Sequence, residues 1–126
     1  LASAKKIRVA GGVVGDENSR ITANVTKKSD GIRKISAFEA SGINIRCDGQ
    51  VVDGFGFTIS GSVAVNDQRS FKARLQNEER PSEVLRVSGK VAKSGKRVKG
   101  NMKTNKITIN GETCDMPKQR YVLKKA

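Results

Sequence analysis

The sequence predicts an all-β protein: a single antiparallel β-sandwich or barrel of about nine to ten short strands, with one disulfide. Apolar and polar residues alternate along many short segments, which is typical of half-buried strands. Turn-forming residues separate these segments at intervals of about 8–12 residues, as in sandwiches and barrels. No segment shows the i, i+3, i+4, i+7 apolar spacing of an amphipathic helix.

The alternation places the inward-facing positions at odd residue numbers almost throughout the chain. Ile43 and Ile45, for example, alternate with the polar residues Asn44 and Arg46. The stretch from Ile35 to Phe38 breaks this parity, so we expect a β-bulge or bend there. The longest alternating run contains Phe55, Phe57, Ile59, Val63 and Val65.

Turn signals rich in Gly, Asn, Asp and Ser define the ends of the predicted strands. Gly and Asn tolerate the positive φ that hairpin turns require, and Asp or Ser stabilise turns locally. The signals are Gly15–Asn18, Lys28–Gly31, Asp48-Gly49, Asp53-Gly54, Asn66-Asp67, Asn77–Ser82, Lys93–Lys96 and Asn110-Gly111.

The length of 126 residues fits one domain with a single core, and the 36% apolar and 4% aromatic content predicts a mainly aliphatic interior. Ala2-Ser3-Ala4 has the small-x-small form that signal peptidase accepts, and Leu1 precedes it. We interpret residues 1–4 as a signal-peptide remnant or a cloning remnant, and residues 5–126 as a single β domain. No apolar run approaches the 18 or so residues of a membrane-spanning helix.

The two cysteines, Cys47 and Cys114, are expected to form a disulfide in an oxidising compartment. The chain has no His, so a structural zinc site, which needs four Cys or His ligands, is disfavoured. A bond closing so long a loop stabilises the fold by about 4 kcal/mol in the chain-entropy model. The cysteines therefore predict a secreted or cell-envelope protein, held by one disulfide and no metal.

Groups suited to catalysis are scarce, and we expect neither an enzyme nor a cofactor. Without His, Ser–His and Cys–His nucleophile systems are impossible. Paired carboxylates remain conceivable as acid and base, but most acids fall in predicted turns, where they usually form the turn in water. These acids are Asp16, Glu17, Asp48, Asp53, Asp67, Glu78 and Glu79.

Positive charge is the strongest functional signal, since 25 Lys and Arg residues face 12 Asp and Glu residues, for a net charge of +13. A field of this size attracts polyanions such as a wall polymer or an acidic glycan, although it also serves solubility alone. Nucleic acid is disfavoured because single-strand grooves need exposed aromatics, and only Tyr121 looks available outside the core. The predicted polyanion-binding residues are Lys90, Lys93, Lys96, Arg97, Lys99, Lys103 and Lys106.

A set of short motifs is spread over most of residues 32–123. They are Cys47-Asp48-Gly49, strands starting at Phe55 and Phe71, Val87-Ser88-Gly89-Lys90, Val98-Lys99-Gly100, Gly111-Glu112-Thr113-Cys114 and the strand at Tyr121. With these motifs the chain resembles small exported β-sandwich proteins of the actinobacterial type, whose functions are mostly uncharacterised. Such proteins often end with a Trp near the position where this chain has Tyr121, so the chain departs from the pattern there. The resemblance implies a secreted β-sandwich and transfers no activity or site residue.

These observations predict a non-catalytic, secreted or cell-envelope β-sandwich, monomeric, that binds an anionic partner through a basic face. The alternative is a protein-interaction or inhibitor module that acts through its loops.

Overall fold

The structure, a computed structural model that describes residues 4–126, contains eight strands joined by short turns. Residues 1–3, the greater part of the predicted signal-peptide or cloning remnant, lie outside the described residues. Within residues 4–126, no helix has the length and apolarity to cross a membrane. The strands are β1 (Lys5–Val13), β2 (Arg20–Lys28), β3 (Gly31–Cys47), β4 (Gln50–Ala64), β5 (Ser70–Gln76), β6 (Val84–Val91), β7 (Arg97–Ile109) and β8 (Glu112–Lys125).

All eight strands form one sheet in the order β4-β3-β2-β1-β8-β7-β6-β5, and every neighbouring pair is antiparallel. The all-β, antiparallel architecture predicted from the alternation is therefore confirmed. β4 and β5 are the two edges of this sheet, although they are consecutive in the chain.

The strand count is eight, so the prediction of nine to ten strands is wrong. The predicted turn at Asp53-Gly54 lies inside β4, where Gly54 takes a φ of 94° and bends the strand without ending it. β3 and β7 likewise continue through register shifts. The predicted bulge in β3 is confirmed, because the β3–β4 register shifts between Ser36 and Phe38, and Ala37 has a φ of 50°.

β8 has two different partners along one of its sides. Its C-terminal part pairs with β1, from Tyr121 to Lys125, and its N-terminal part pairs with β3, at Cys114 and Asp115. The β1–β2 hairpin therefore occupies a fork between β3 and β8. Strands that adjoin at one end and are separated by two strands at the other require a strongly curved sheet.

The tip of the β1–β2 hairpin is hydrogen-bonded to β3 in this fork, because the amide of Asn44 donates to the Asp16 carboxylate over 3.3 Å. At the same position the Gln119 side chain of β8 donates to the Asn44 carbonyl over 2.9 Å, which ties β8 to β3. Gly42 has a φ of 64°, and a Cβ at this position would lie 2.2 Å from the carbonyl oxygen of Asn18. β3 therefore needs a glycine where the hairpin tip crosses it.

The core is built from the inward positions of both halves of the sheet and is mainly aliphatic. Tyr121 lies at its centre, 1% exposed, with its ring edge-on to Phe38 at a centroid distance of 5.8 Å. The expectation that Tyr121 is the available aromatic is wrong, because Gly89 and Gly100, its neighbours across the sheet, leave room for the ring. The tyrosine hydroxyl donates to the Ser88 carbonyl over 2.8 Å, which satisfies the buried phenol.

Candidate anion-binding face

The structure brings part of the predicted polyanion site onto one surface. Lys90 in β6 and Arg97, Lys99 and Lys103 in β7 are exposed at outward positions, because Val91, Val98 and Met102 beside them are buried. Antiparallel pairing of β6 with β7 places Lys90 directly opposite Lys99. These four predicted residues therefore share the outer face of one hairpin.

The other three predicted residues lie elsewhere on the hairpin. Lys93 and Lys96 belong to the β6–β7 turn, whose Gly95 packs over Ile7 at the end of the core. Lys106 lies in a bulge of β7, close enough to Asp115 to lower the pKa of that carboxyl. The seven predicted residues thus lie in three places: the outer surface of the β6–β7 hairpin, the β6–β7 turn, and the bulge of β7 near Asp115.

The outer surface of β5–β8 carries more cations than the sequence prediction included. β5, β6 and β7 contain no Asp or Glu, and neither does β8 beyond Asp115. We call this surface the basic face, and its cationic residues are Lys72, Arg74, Arg86, Lys90, Arg97, Lys99, Lys103, Lys118, Arg120 and Lys124.

Several cations of the basic face stand directly opposite one another on neighbouring strands. Directly opposed side chains have Cβ atoms about 4.5–5.5 Å apart, and like charges in that arrangement destabilise a sheet. None of the ion pairs found among residues 4–126 involves this face. The opposed cations are Arg74 and Arg86, Arg86 and Lys103, Lys90 and Lys99, and Arg97 and Lys124.

A shallow cavity of about 500 Å³ opens on the basic face and is lined by residues from all four of its strands. Two polar side chains, Ser88 and Asn101, oppose each other on β6 and β7 within it and offer a hydroxyl and an amide group. Such a trough, rimmed by ammonium and guanidinium groups, suits a phosphate, sulfate or carboxylate group of a larger anion. The cationic residues that line it are Lys72, Arg74, Arg86, Lys103 and Lys118.

Acidic groups of the fold serve structural contacts instead of the basic face. Arg46 and Asp115 form a two-pronged ion pair, 2.9 Å from Nη2 to Oδ2 and 3.3 Å from Nε to Oδ1. This hydrogen bonding lowers the pKa of the Asp115 carboxyl and raises the pKa of Arg46. Glu83, which is 7% exposed, accepts a hydrogen bond from the Thr108 amide and lies 3.8 Å from Arg80.

The predicted disulfide is present between Cys47 and Cys114. Cys47, Glu112 and Cys114 are the group of residues within 4–126 whose ligand atoms lie close enough to surround a cation. Both sulfurs are bonded to each other, so this group offers a metal one carboxylate. Asp16, another acid of a predicted turn, is used to hold the fork between β3 and β8.

Sequence reasoning missed the flanking strands of the basic face. The alternation already places Lys72, Arg74 and Arg86 on the outward side of their strands. It does not show that β5 and β8 lie on either side of the β6–β7 hairpin, which is what adds Lys118, Arg120 and Lys124 to the same surface. The short turns before β6 and β8 were the available signal for this arrangement.

Comparison of this chain with protein-family models, curated proteins and solved structures gives no match.

Proposed function

We propose that this protein is a non-catalytic, extracytoplasmic β-protein that binds an anionic polymer through the basic face. The observation that carries this proposal is the set of cations opposed to one another across β5–β8. Such pairs reduce the stability of the free protein, and an anion placed between them reverses their effect. Elsewhere among residues 4–126, Lys5 and Lys27 are also directly opposed, so the concentration of four such pairs is what distinguishes the basic face.

The absence of acids on β5–β7 supports the same function. Mixed charges of both signs neutralise one another locally, whereas a one-sign surface projects a field that attracts a polyanion from a distance. The face also lacks aromatic side chains, and Tyr121 is buried. We therefore propose a ligand recognised by its backbone charges, such as an anionic wall polymer or an acidic glycan, without base stacking.

The disulfide between Cys47 and Cys114 is consistent with an extracytoplasmic location, because such bonds persist in oxidising compartments. Secretion is part of this proposal. The curvature at the fork supports a sheet rolled into a sandwich or barrel, in which the basic face is the outer surface of one half.

A binding titration with matched variants tests the proposed face. Labelled inorganic polyphosphate and a labelled heparin oligosaccharide serve as separate probes, since they share charge and differ in chemistry. The triple variant Arg74→Gln/Arg86→Gln/Lys103→Gln removes one row of cations at the cavity. Because each neutralised contact contributes about 0.7–0.9 to the slope of log affinity against log salt, we expect that slope to fall by about two.

The matched control is Lys6→Gln/Lys28→Gln/Lys34→Gln, which removes the same charge at exposed sites on β1, β2 and β3 that oppose no other cation. We expect this control to keep nearly the salt slope and affinity of the unmodified protein. Equal losses in both variants would show that net charge alone governs binding. Tight binding of only one probe would identify the chemistry of the anionic group.

A further inference from the structure

Positive charge is missing from one continuous part of the chain. No Lys or Arg occurs between Arg46 and Arg69, and the charged residues there are Asp48, Asp53 and Asp67. All of β4 falls within this segment, so Asp53 is the one charged residue of that strand. A protein with a net charge of +13 thus has one strand without a cation at the far end of its sheet from β5.

β4 is also an edge strand, hydrogen-bonded along one side to β3. An edge offers unpaired backbone groups to other strands, and natural proteins usually protect edges with charged side chains, above all Lys. The opposite edge, β5, follows this rule with Lys72 and Arg74 in seven residues. β4 is fifteen residues long and has neither Lys nor Pro. β4 has irregularities near Gly54 and Gly61 instead, so its unprotected part is the stretch between them.

The side chains of β4 are apolar to an unusual extent for an exposed edge. Val51 and Val52 are 72% and 43% exposed, and Phe55 and Phe57 are only half-buried. The residues from Phe57 to Ile59 pair with β3 in a regular register, and glycines with positive φ lie on either side, at Gly54 and Gly61. The middle of β4 is thus a regular, uncharged, partly apolar edge.

We propose that β4 pairs with β4 of a second copy of this chain, in antiparallel orientation, to form a reversible dimer. Two copies that each carry a charge of +13 repel one another at most of their surfaces. β4 is where two copies can approach without opposing cations. β4 contributes no residue to the basic face, which lies on β5–β8, so the pairing uses different residues from polyanion binding.

A two-fold axis at Phe57 gives this pairing a definite register. It places the two Phe57 residues opposite each other and Phe55 opposite Ile59 of the second copy, and aromatic and β-branched pairs of this kind stabilise sheets. It also places Asp53 opposite Gly61, so that like charges are not opposed. Pairing along one short strand makes a small contact, so we expect the dimer to form at micromolar to millimolar concentrations.

Sedimentation equilibrium over that concentration range tests the dimer. We expect the average mass to rise towards twice the chain mass, and to rise further with added salt, which screens the repulsion. Polyanion binding weakens with salt, so the two proposals respond in opposite directions. A mass that stays monomeric throughout would overturn the dimer and leave the basic face untouched.

The variant Thr58→Lys/Ser60→Lys gives the edge of β4 the protection that β5 already has, at two exposed positions. We expect dimerisation to weaken at least tenfold. The control Ser29→Lys/Ser82→Lys adds the same charge in two turns and should reduce dimerisation only slightly. Amide hydrogen exchange supplies a second readout: residues 55–60 should become protected as concentration rises. Equal effects of both variants, or no added protection in β4, would contradict the proposed interface.

Discussion

Cys47 and Cys114 are direct cross-strand neighbours, with their Cα atoms 4.0 Å apart at the point where β3 joins β8. The adjacent amide of Asp48 donates to the carbonyl of Thr113 over 2.9 Å, so the disulfide adds to a hydrogen-bonded ladder. The bond is located at the closed end of the fork that holds the β1–β2 hairpin. The disulfide therefore holds β3 against β8 at the point where the sheet curves.

Removal of this bond should lower stability substantially. The double variant Cys47→Ala/Cys114→Ala frees the long loop in the unfolded state, and we expect the free energy of unfolding to fall by about 4 kcal/mol. Urea unfolding followed by circular dichroism measures the loss. Reduction of the unmodified protein should reproduce it, and an unchanged urea midpoint after reduction would show that the bond does not constrain the fold. Thiol titration of the denatured, unreduced protein should find no free thiol.

Acid should destabilise the contact between β3 and β8 at the fork, because it protonates Asp115. Its carboxyl has a lowered pKa because Arg46 hydrogen-bonds to its charged form. A depressed pKa contributes stability above the unfolded value near 3.8, and that contribution disappears as pH falls through the folded pKa. We expect Asp115→Asn to reduce the loss of stability between about pH 4 and pH 2. Thermal melts across this range measure the effect, and Asp53→Asn is an exposed control. If the Arg46–Asp115 pair contributed nothing, melting temperature would fall with pH in parallel for the unmodified protein, Asp115→Asn and Asp53→Asn.

High pH should unfold the protein, because it favours ionisation of the buried Tyr121. Burial raises the pKa of this phenol above its usual 10.0, so the folded state keeps its proton more tightly than the unfolded state does. The stability that the protonated Tyr121 contributes is fully present below pH 10 and is lost as pH rises through the raised pKa of the folded state. Tyr121 is the one tyrosine and the chain has no Trp, so tyrosinate absorbance reports on this residue alone.

We expect that absorbance to appear together with the loss of β-sheet circular dichroism. Tyr121→Phe should shift alkaline unfolding to higher pH, while costing about 1 kcal/mol at neutral pH through the lost hydrogen bond to Ser88. Ionisation near pH 10 in a protein that stays folded would contradict the buried position.

Arg86 should show a trade-off between stability and binding. It opposes Arg74 on one side and Lys103 on the other. Because like charges at opposed positions destabilise a sheet, Arg86→Gln should raise the free energy of unfolding by about 0.2–1 kcal/mol at low salt. Added salt screens the repulsion, so it should reduce the difference in free energy of unfolding between Arg86→Gln and the unmodified protein.

The same change should weaken polyanion binding. A loss of both stability and binding in Arg86→Gln would mean that the side chain supports the fold, against the proposal. Arg8→Gln is a suitable control, since Arg8 is exposed on β1 opposite the uncharged Asn24.

The sequence was informative where the physics is local. Alternation identifies the all-β class, and the parity break at Ile35–Phe38 marks a real bulge. The turn signal at Asp53-Gly54 was misleading because a positive φ at Gly54 bends a strand as readily as it ends one. No local pattern encodes the pairing of β8 with both β1 and β3, which depends on contacts distant in sequence.

The candidate site likewise has features that depend on local sequence and features that depend on contacts distant in sequence. Local alternation with the apolar Val91, Val98 and Met102 predicts that Lys90, Lys99 and Lys103 point outward, and they do. The burial of Tyr121 depends on Gly100, which lies opposite it on β7, and on Gly89, one strand further on β6, so the sequence around Tyr121 cannot show it.

The location of the anion on the protein is the central claim, and amide chemical-shift mapping tests it most directly. Inorganic polyphosphate is titrated into the ¹⁵N-labelled protein at low salt. The basic face predicts shifts concentrated at residues 72–74, 86–90, 99–103 and 118–120, with little change at the β2–β3 hairpin, which also carries cations. Shifts spread evenly over all lysine-bearing segments, or centred on the turn at Lys93 and Lys96, would contradict it.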